Sequence, residues 1–528
     1  MGGTILSQTL INALQDAACY HHDVDAFDVR ETHISWIIMT GRYAYKIKKP
    51  LDFGFLDFST LEKRRHFCEE EVRLNKRLAG DLYLRVVPIT GTPERPELDG
   101  EGEPFEYAVC MQQFDNEGLF STLQATGQLT QTLMDDLVDQ LVAFHAGTEQ
   151  ADVDSKFGTA AAVYAPAREN FDQLEPLLSD ASDLERLVAL KAWTDNAFER
   201  FHDEFQRRHD EGFIRNNHGD VHLANAVLHN GRALIFDCIE FNDQFRWNDV
   251  GCELAFLVMD LEVRGEQELA NRVLDRYLER SGDYGLVRLL PFYKAYRAMV
   301  RAKIAMFRFQ QPDLHPADRD AVLADFRRYL ALAERYSEFS MPYLIISVGV
   351  SGSGKSRFTE QAVRQLGGIR VRSDVERKRL HGMNPFGPSR QVDIESGLYT
   401  AVATERTYAR LAELSGMMLQ AGHSVCVDGT CLREAQRTLL RHEAECRGLP
   451  VLLVSFEADH ATLVRRITKR SRSRDNVSDA GLEVLEHQLA NLEPFTSDEQ
   501  AHLVHLDTTA EDANITLVSL IKEHLHLV

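Results

Sequence analysis

The stretch Tyr343–Leu366, YLIISVGVSGSGKSRFTEQAVRQL, passes from an apolar run through a glycine-rich turn into a helical pattern. Tyr343 to Val348 reads as a buried strand. The octet Gly349, Val350, Ser351, Gly352, Ser353, Gly354, Lys355, Ser356 then fits GxxxxGK[ST], with strand before and helix after. Such glycines let successive backbone N–H groups turn inward on phosphate oxygens, while the lysine reaches the β and γ phosphates and the serine hydroxyl can ligate Mg2+. These residues predict an ATP-binding P-loop domain built on a parallel sheet, with Gly349, Ser351, Gly352, Ser353, Gly354, Lys355 and Ser356 as nucleotide contacts. Farther on, the strand-like run SVCVD ends at Asp428, which suits a carboxylate holding Mg2+ through water; a strand-end Asp capping the next segment is the plainer alternative.

Between these lies RVRSDVERKRL, where Asp374 follows a short strand and Arg377 sits one helical turn later on the same face. The run LVRRITKRSRSRDNVSDA gathers Arg465, Arg466, Lys469, Arg470, Arg472 and Arg474, with Arg466 and Arg470 on one helix face. The P-loop followed by S-D-x-x-R resembles the small P-loop kinases: polynucleotide 5′-kinases, zeta-toxin-like sugar-nucleotide kinases and related small-molecule kinases. The resemblance spans about residues 343–528. It implies that Asp374 accepts the proton of the substrate hydroxyl, that Arg377 grips the acceptor, and that Arg466 and Arg470 belong to a lid closing over the phosphates. A helix N-cap at Asp374 and a solvated basic face are the local alternatives.

Upstream, the helical pattern ADFRRYLALAERY gives way to SEFSMP, which predicts a boundary between residues 340 and 341. Residues 1–340 split into a small lobe, about 1–115, and a helical lobe, about 116–340. The small lobe carries the strand-like runs HISWIIM, RYAYKIKK, YLRVVPI and YAVCMQQF around one helix from Leu61. The expected fold class is therefore α/β and α+β multidomain, a two-lobed kinase-like domain followed by a P-loop domain. In the helical lobe, NNHGDVHLANAVLHNGRALIFDCIEF places His218, Asp220, His222 and Asn225 in one loop and Asp237 at the end of the next strand. A five-residue step from Asp to Asn, followed by a strand-borne Asp, is the spacing of base and metal ligands in kinase catalytic loops.

The string HGDVHLAN resembles the catalytic loop of aminoglycoside phosphotransferases and related choline- and sugar-kinase-like enzymes. That match, over about residues 30–330, implies that Asp220 is the catalytic base and that Asn225 and Asp237 hold Mg2+. It also asks for a strand lysine and a helix glutamate. Lys46 in YAYK is chosen over Lys48, which shares its strand face, and Glu71 over Glu70, because Glu71 keeps helical spacing with Leu74 and Leu78. Asp249 resembles the residue that orders the catalytic loop. The chain departs from the kinase pattern in having no G-x-G-x-x-G before Lys46, only MTGRY around Gly41. Asp52-Phe53-Gly54 precedes the loop and is rejected as a metal-binding triad by position. A zinc site at His218 and His222 lacks further ligands. Taken together, the order resembles bifunctional aminoglycoside phosphotransferase/ATP-binding proteins.

At 528 residues the chain exceeds what one core usually supports. Its net charge of −22 speaks against an extended nucleic-acid or anionic-membrane partner; residues 345–528 carry 22 basic and 24 acidic residues, leaving 37 and 57 before them. Eight cysteines without CxxC pairs read as reduced core thiols, and the absence of a signal pattern or long apolar run leads to the expectation of a cytoplasmic protein. The expected partners are a nucleotide and a small-molecule hydroxyl acceptor, with ATP and Mg2+ as cofactors and no oligomeric state assigned. Two alternatives stay open: a polynucleotide 5′-kinase in the C-terminal part, and a non-catalytic N-terminal kinase fold with the P-loop as a nucleotide switch.

Overall fold

This computed structural model describes residues 2–54, 56–311, 314–386, 398, 400–470 and 482–526, the side chains of residues 2–7 and 470 excepted. The chain packs into two compact units, Met1–Asp260 with Phe292–Ala331, and Leu261–Pro291 with Leu332–Val528. Two segments that precede residue 341, Leu261–Pro291 and 332–340, pack with the C-terminal unit.

In the first unit, β1 (Asp28–Glu31), β2 (Ser35–Met39), β3 (Tyr43–Lys48), β4 (Tyr83–Thr92), β5 (Arg95–Leu98) and β6 (Glu106–Gln112) form an antiparallel sheet in the order β1-β2-β3-β6-β4-β5. Strand periodicity sorts the side chains by face. Trp36, Ile38, Tyr45 and Ile47 enter one apolar cluster with Leu10, Leu14 and Ile89. Met39 and Ala44 enter the other, which includes Cys68 and Ala79 of the helix Leu61–Ala79. Lys46 and Lys48 alternate with Tyr45 and Ile47, so the period of two sends both ammonium groups to the helix side. Thr60 caps that helix by accepting from the Lys63 N–H, which satisfies a first-turn donor and fixes where the helix starts. Helices dominate the rest of the unit, interrupted by two small pairs: β7 (Ile214–Asn216) with β10 (Trp247–Asp249), and β8 (Ala226–His229) with β9 (Arg232–Ile235).

The second unit is built on β11 (Leu344–Val348), β12 (Ile369–Arg372), β13 (Val425–Asp428), β14 (Val451–Glu457) and β15 (Leu503–Asp507), all parallel in the order β12-β13-β11-β14-β15. Every residue of β11 is buried, as expected for a parallel strand covered on both faces. Because the chain leaves β11 and later returns on both its sides, the loop after β11 lies at the topological switch, where such sheets open a crevice at their carboxyl ends.

All eight cysteines are free and seven are buried; Cys446 is exposed, so the expectation of core thiols is corrected there. Its helix, Glu434–Glu445, ends at this residue, which turns outward at the C-cap. No described helix is long and apolar enough to cross a membrane.

Candidate functional site

In the first unit the two strand lysines and Glu71 form a closed set of ion pairs. Lys46 Nζ lies 2.8 Å from Glu71 Oε1 and 2.6 Å from Asp237 Oδ1, while Lys48 Nζ lies 2.6 Å from Glu71 Oε2 and also pairs with Glu240. Glu71 thus divides its two oxygens between the lysines, whereas Glu70 faces away and pairs with Arg73. Lys46 is the lysine that touches Asp237. Burial alone depresses an ammonium, but Asp237 and Glu71 reverse this and hold Lys46 well above the usual lysine value. Burial alone would likewise raise the Glu71 carboxyl; Lys46 and Lys48 outweigh it and hold Glu71 below the usual range. Asp237 takes a positive φ of 63° and keeps 45% of its side chain exposed.

The loop from His218 to Asn225 is pinned from behind. Gly219 N–H donates to Glu253 Oε1 at 2.5 Å, the Gly219 carbonyl accepts from Arg297 at 3.1 Å, and Leu223 N–H donates to Asp260 at 3.0 Å. Gly219 itself has φ 91°, and a Cβ there would meet the Phe245 carbonyl at 3.0 Å. Asn225 Nδ2 donates to Asp220 Oδ2 at 2.9 Å, and His222 Nε2 lies 3.3 Å from the same oxygen. Burial would lift Asp220, but His222, Arg301 and His218 together hold it well below the usual carboxylate range. With its nitrogen turned to Asp220, Asn225 presents its amide oxygen; that oxygen and the Asp237 carboxylate are the hard donors Mg2+ takes. Both rings of the suggested zinc pair are committed: His218 to the Phe236 carbonyl and the Asp220 N–H, His222 to the Ala224 N–H and Asp220. Asp249 is buried in a two-point pair with Arg208 at 2.7 and 2.8 Å and accepts from Tyr293.

The missing glycine-rich loop is visible as a tight hairpin. Thr40 N–H donates to the Tyr43 carbonyl at 2.9 Å, so Thr40, Gly41 and Arg42 are all that join β2 to β3, and only Gly41 and Arg42 lie inside that bond.

In the second unit Gly349, Gly352 and Gly354 take φ of 150°, 82° and 96°, and a Cβ on the first two would meet the Phe456 carbonyl at 2.8 Å and the Leu463 carbonyl at 3.0 Å. Only glycine fits this cradle. Gly354 starts the helix Lys355–Leu366 without a side-chain cap, so no cap side chain occupies the first-turn N–H groups that polyphosphate binding uses. Lys355 folds over the cradle, donating to the carbonyls of Gly349 and Val350 at 2.7 and 2.8 Å. Ser351 N–H donates to Gln488 at 2.7 Å. Arg466 bonds the Gly352 carbonyl at 3.3 Å and Thr508 at 2.9 Å; the Arg470 side chain, Arg472 and Arg474 lie outside the described residues. Asp428, buried at the end of β13, sits 3.3 Å from Arg372. Asp374 lies in the first turn of the helix Ser373–Leu380, whose cap is Arg372, so it is not the N-cap. Arg377 is buried and donates to the Leu398 carbonyl and Thr404, which directs it to the segment entering the helix Ala401–Gln420.

Glu240, Glu253, Asp260, Arg297 and Gln488 were not among the site residues read from sequence. Glu253 and Asp260 had a signal: acids inside VGCELAFLVMDLEV, a helix apolar on nearly every side, must be paired where they are buried.

Residues 57–290 match the model of the phosphotransferase enzyme family, and residues 344–495 match that of an AAA domain. By these matches the chain carries a phosphotransferase-type domain followed by a P-loop kinase-like domain. Over 472 residues it is 28% identical to an uncharacterized protein of Mycobacterium tuberculosis (strain ATCC 25618 / H37Rv), covering 89% of this chain and 91% of that one. Among solved structures, amicoumacin kinase hAmiN in complex with AMP-PNP, Ca2+ and Ami is 13% identical, covering 62% of this chain and 93% of that chain at a TM-score of 0.39. A gluconokinase from Sinorhizobium meliloti 1021 is 22% identical over 35% of this chain and 93% of that chain, with a TM-score of 0.26.

Proposed function

We propose that this protein contains two ATP- and Mg2+-dependent phosphotransferase modules, divided near residue 340, each moving a γ-phosphate to a hydroxyl group of a small molecule. The observation that carries the proposal is the joining of Lys46 to Glu71 and Asp237 at 2.8 and 2.6 Å, which brings strand lysine, helix acid and candidate metal carboxylate to one point. In the first module Lys46 draws on the nucleotide phosphates and Asp220 orients the acceptor hydroxyl, accepting its proton as transfer proceeds. Because Arg301 and the hydrogen bond from His222 favour its carboxylate form, Asp220 acts more by position than by basicity. In the second, the Gly349–Ser356 cradle and Lys355 hold the β and γ phosphates, Asp374 receives the hydroxyl proton, and Arg377 and Arg466 flank acceptor and nucleotide. Bound Mg2+ neutralises charge on the transferring phosphoryl group; Asn225 and Asp237 would hold it in one module, Ser356 and Asp428 in the other.

The test is ATP turnover, with product identified by mass spectrometry after incubation with ATP, Mg2+ and a metabolite extract. Lys355→Ala and Asp220→Ala are each expected to abolish one phosphorylated product. If neither substitution lowers any turnover, the proposal fails. The two-residue Gly41–Arg42 turn favours a second reading, a front module that binds nucleotide without transferring phosphate; Mg2+-dependent ATP binding with no Asp220-dependent product would select it.

A further inference from the structure

The helix Gln267–Ser281 belongs to the second unit, although it precedes the phosphate loop by more than sixty residues of sequence. It covers the outer edge of β12. Ile369 N–H points inward to the Ser424 carbonyl of the strand entry beside it, at 2.8 Å, so the next N–H, that of Arg370, points outward. There it meets Asp275 Oδ1 at 2.8 Å in place of another strand. One turn farther along the same helix, Glu279 Oε1 lies 2.9 Å from Arg372 Nη1 and 3.7 Å from Arg370 Nη2.

Both arginines also reach the candidate metal ligands. Arg370 Nη1 donates to the Ser356 carbonyl at 2.9 Å and lies 3.9 Å from Asp428 Oδ2; Arg372 Nε lies 3.3 Å from that same oxygen. Arg370, Asp275, Glu279 and Asp428 are all buried. Asp428 and Glu279 therefore share both guanidinium groups, Arg372 at the shorter distances, and the share taken by Glu279 sets how much negative charge Asp428 keeps for a cation.

We infer that Asp275 and Glu279 are positioning residues of the phosphate-loop site: they hold Arg370 and Arg372 so that Ser356 is fixed and Asp428 is left charged enough to take Mg2+. The inference rests on the reading of this unit as a P-loop phosphotransferase. If Glu279 loses its charge, Arg372 turns fully to Asp428 and competes with the metal. Removing Arg372 as well takes away the competitor.

The experiment uses the full chain with Lys46→Ala and Asp237→Asn, so that the second unit dominates nucleotide binding, and ADP as probe. Calorimetry measures the Mg2+ concentration giving half-maximal Lys355-dependent ADP binding. Glu279→Gln is expected to raise it at least roughly fivefold, the low end of measured coupling between linked sites. Glu279→Gln with Arg372→Leu is expected to return it to the parent value, and Arg372→Leu alone to lower it, which keeps the test open if Glu279→Gln fails to fold. An unchanged Mg2+ requirement in Glu279→Gln, a double variant as impaired as the single, or an unmoved requirement in Arg372→Leu would overturn the inference. A parent with no Lys355-dependent ADP binding would overturn the P-loop reading itself, and this inference with it.

Discussion

At the scale of single residues, the first unit depends on five buried or half-buried charges that satisfy one another: Lys46, Lys48, Glu71, Asp237 and Glu240. Breaking a buried pair by removing one partner costs about 3–5 kcal/mol, because the other charge stays behind. Lys48→Met is therefore expected to lower the free energy of unfolding by about that much in denaturant titration, whereas Lys46→Met, next to half-exposed Asp237, should cost less and act mainly on nucleotide binding. Acid stability follows from the same set. Glu71 titrates below its ordinary value of 4.5 when folded, so its contribution is present above that pH and drains away as pH falls below it. Glu71→Gln should flatten the decline of stability below about pH 4.5 while lowering stability at neutral pH, as read from thermal unfolding against pH. An unchanged acid slope would show that Lys46 and Lys48 do not govern this carboxylate.

At the scale of elements, the sequence announced the phosphate loop because its glycines are dictated by backbone geometry: no other residue fits φ of 82° at Gly352 with the Leu463 carbonyl 3.0 Å from the Cβ position. Gly352→Ala is expected to cost about 1–3 kcal/mol of stability and to weaken nucleotide binding, measured by chemical unfolding and calorimetry. The strand faces were legible for a similar reason, since alternation along β3 fixes where Lys46 and Lys48 point. What was not legible was pairing across distance. Nothing in YAYKIK says that Lys48 is shared between Glu71 and Glu240, and nothing local to RVRSD says that Arg370 and Arg372 are held by acids nearly a hundred residues earlier. The segment Leu261–Pro291 reads locally as one more amphipathic helix, and only the edge of β12 explains where its acidic face goes. Asp374 shows the opposite limit: its place in the first helical turn was readable, but the cap falls on Arg372.

At the scale of the whole molecule, two kinase-type domains in one chain predict two separable nucleotide sites. The near balance of 22 basic and 24 acidic residues in 345–528 gives no long cationic track, so a 5′-hydroxyl oligonucleotide is expected to be a poor acceptor, checked by transfer of labelled γ-phosphate. Efficient labelling would instead select the polynucleotide-kinase alternative. The central claim, that each unit holds its own polyphosphate, is tested most directly by the stoichiometry of a non-hydrolysable ATP analogue bound with Mg2+. The intact chain should bind two equivalents and Lys355→Ala one, with the remaining site lost on adding Lys46→Ala and Asp237→Asn. A parent that binds none, or a Lys355→Ala variant that still binds two, would contradict it.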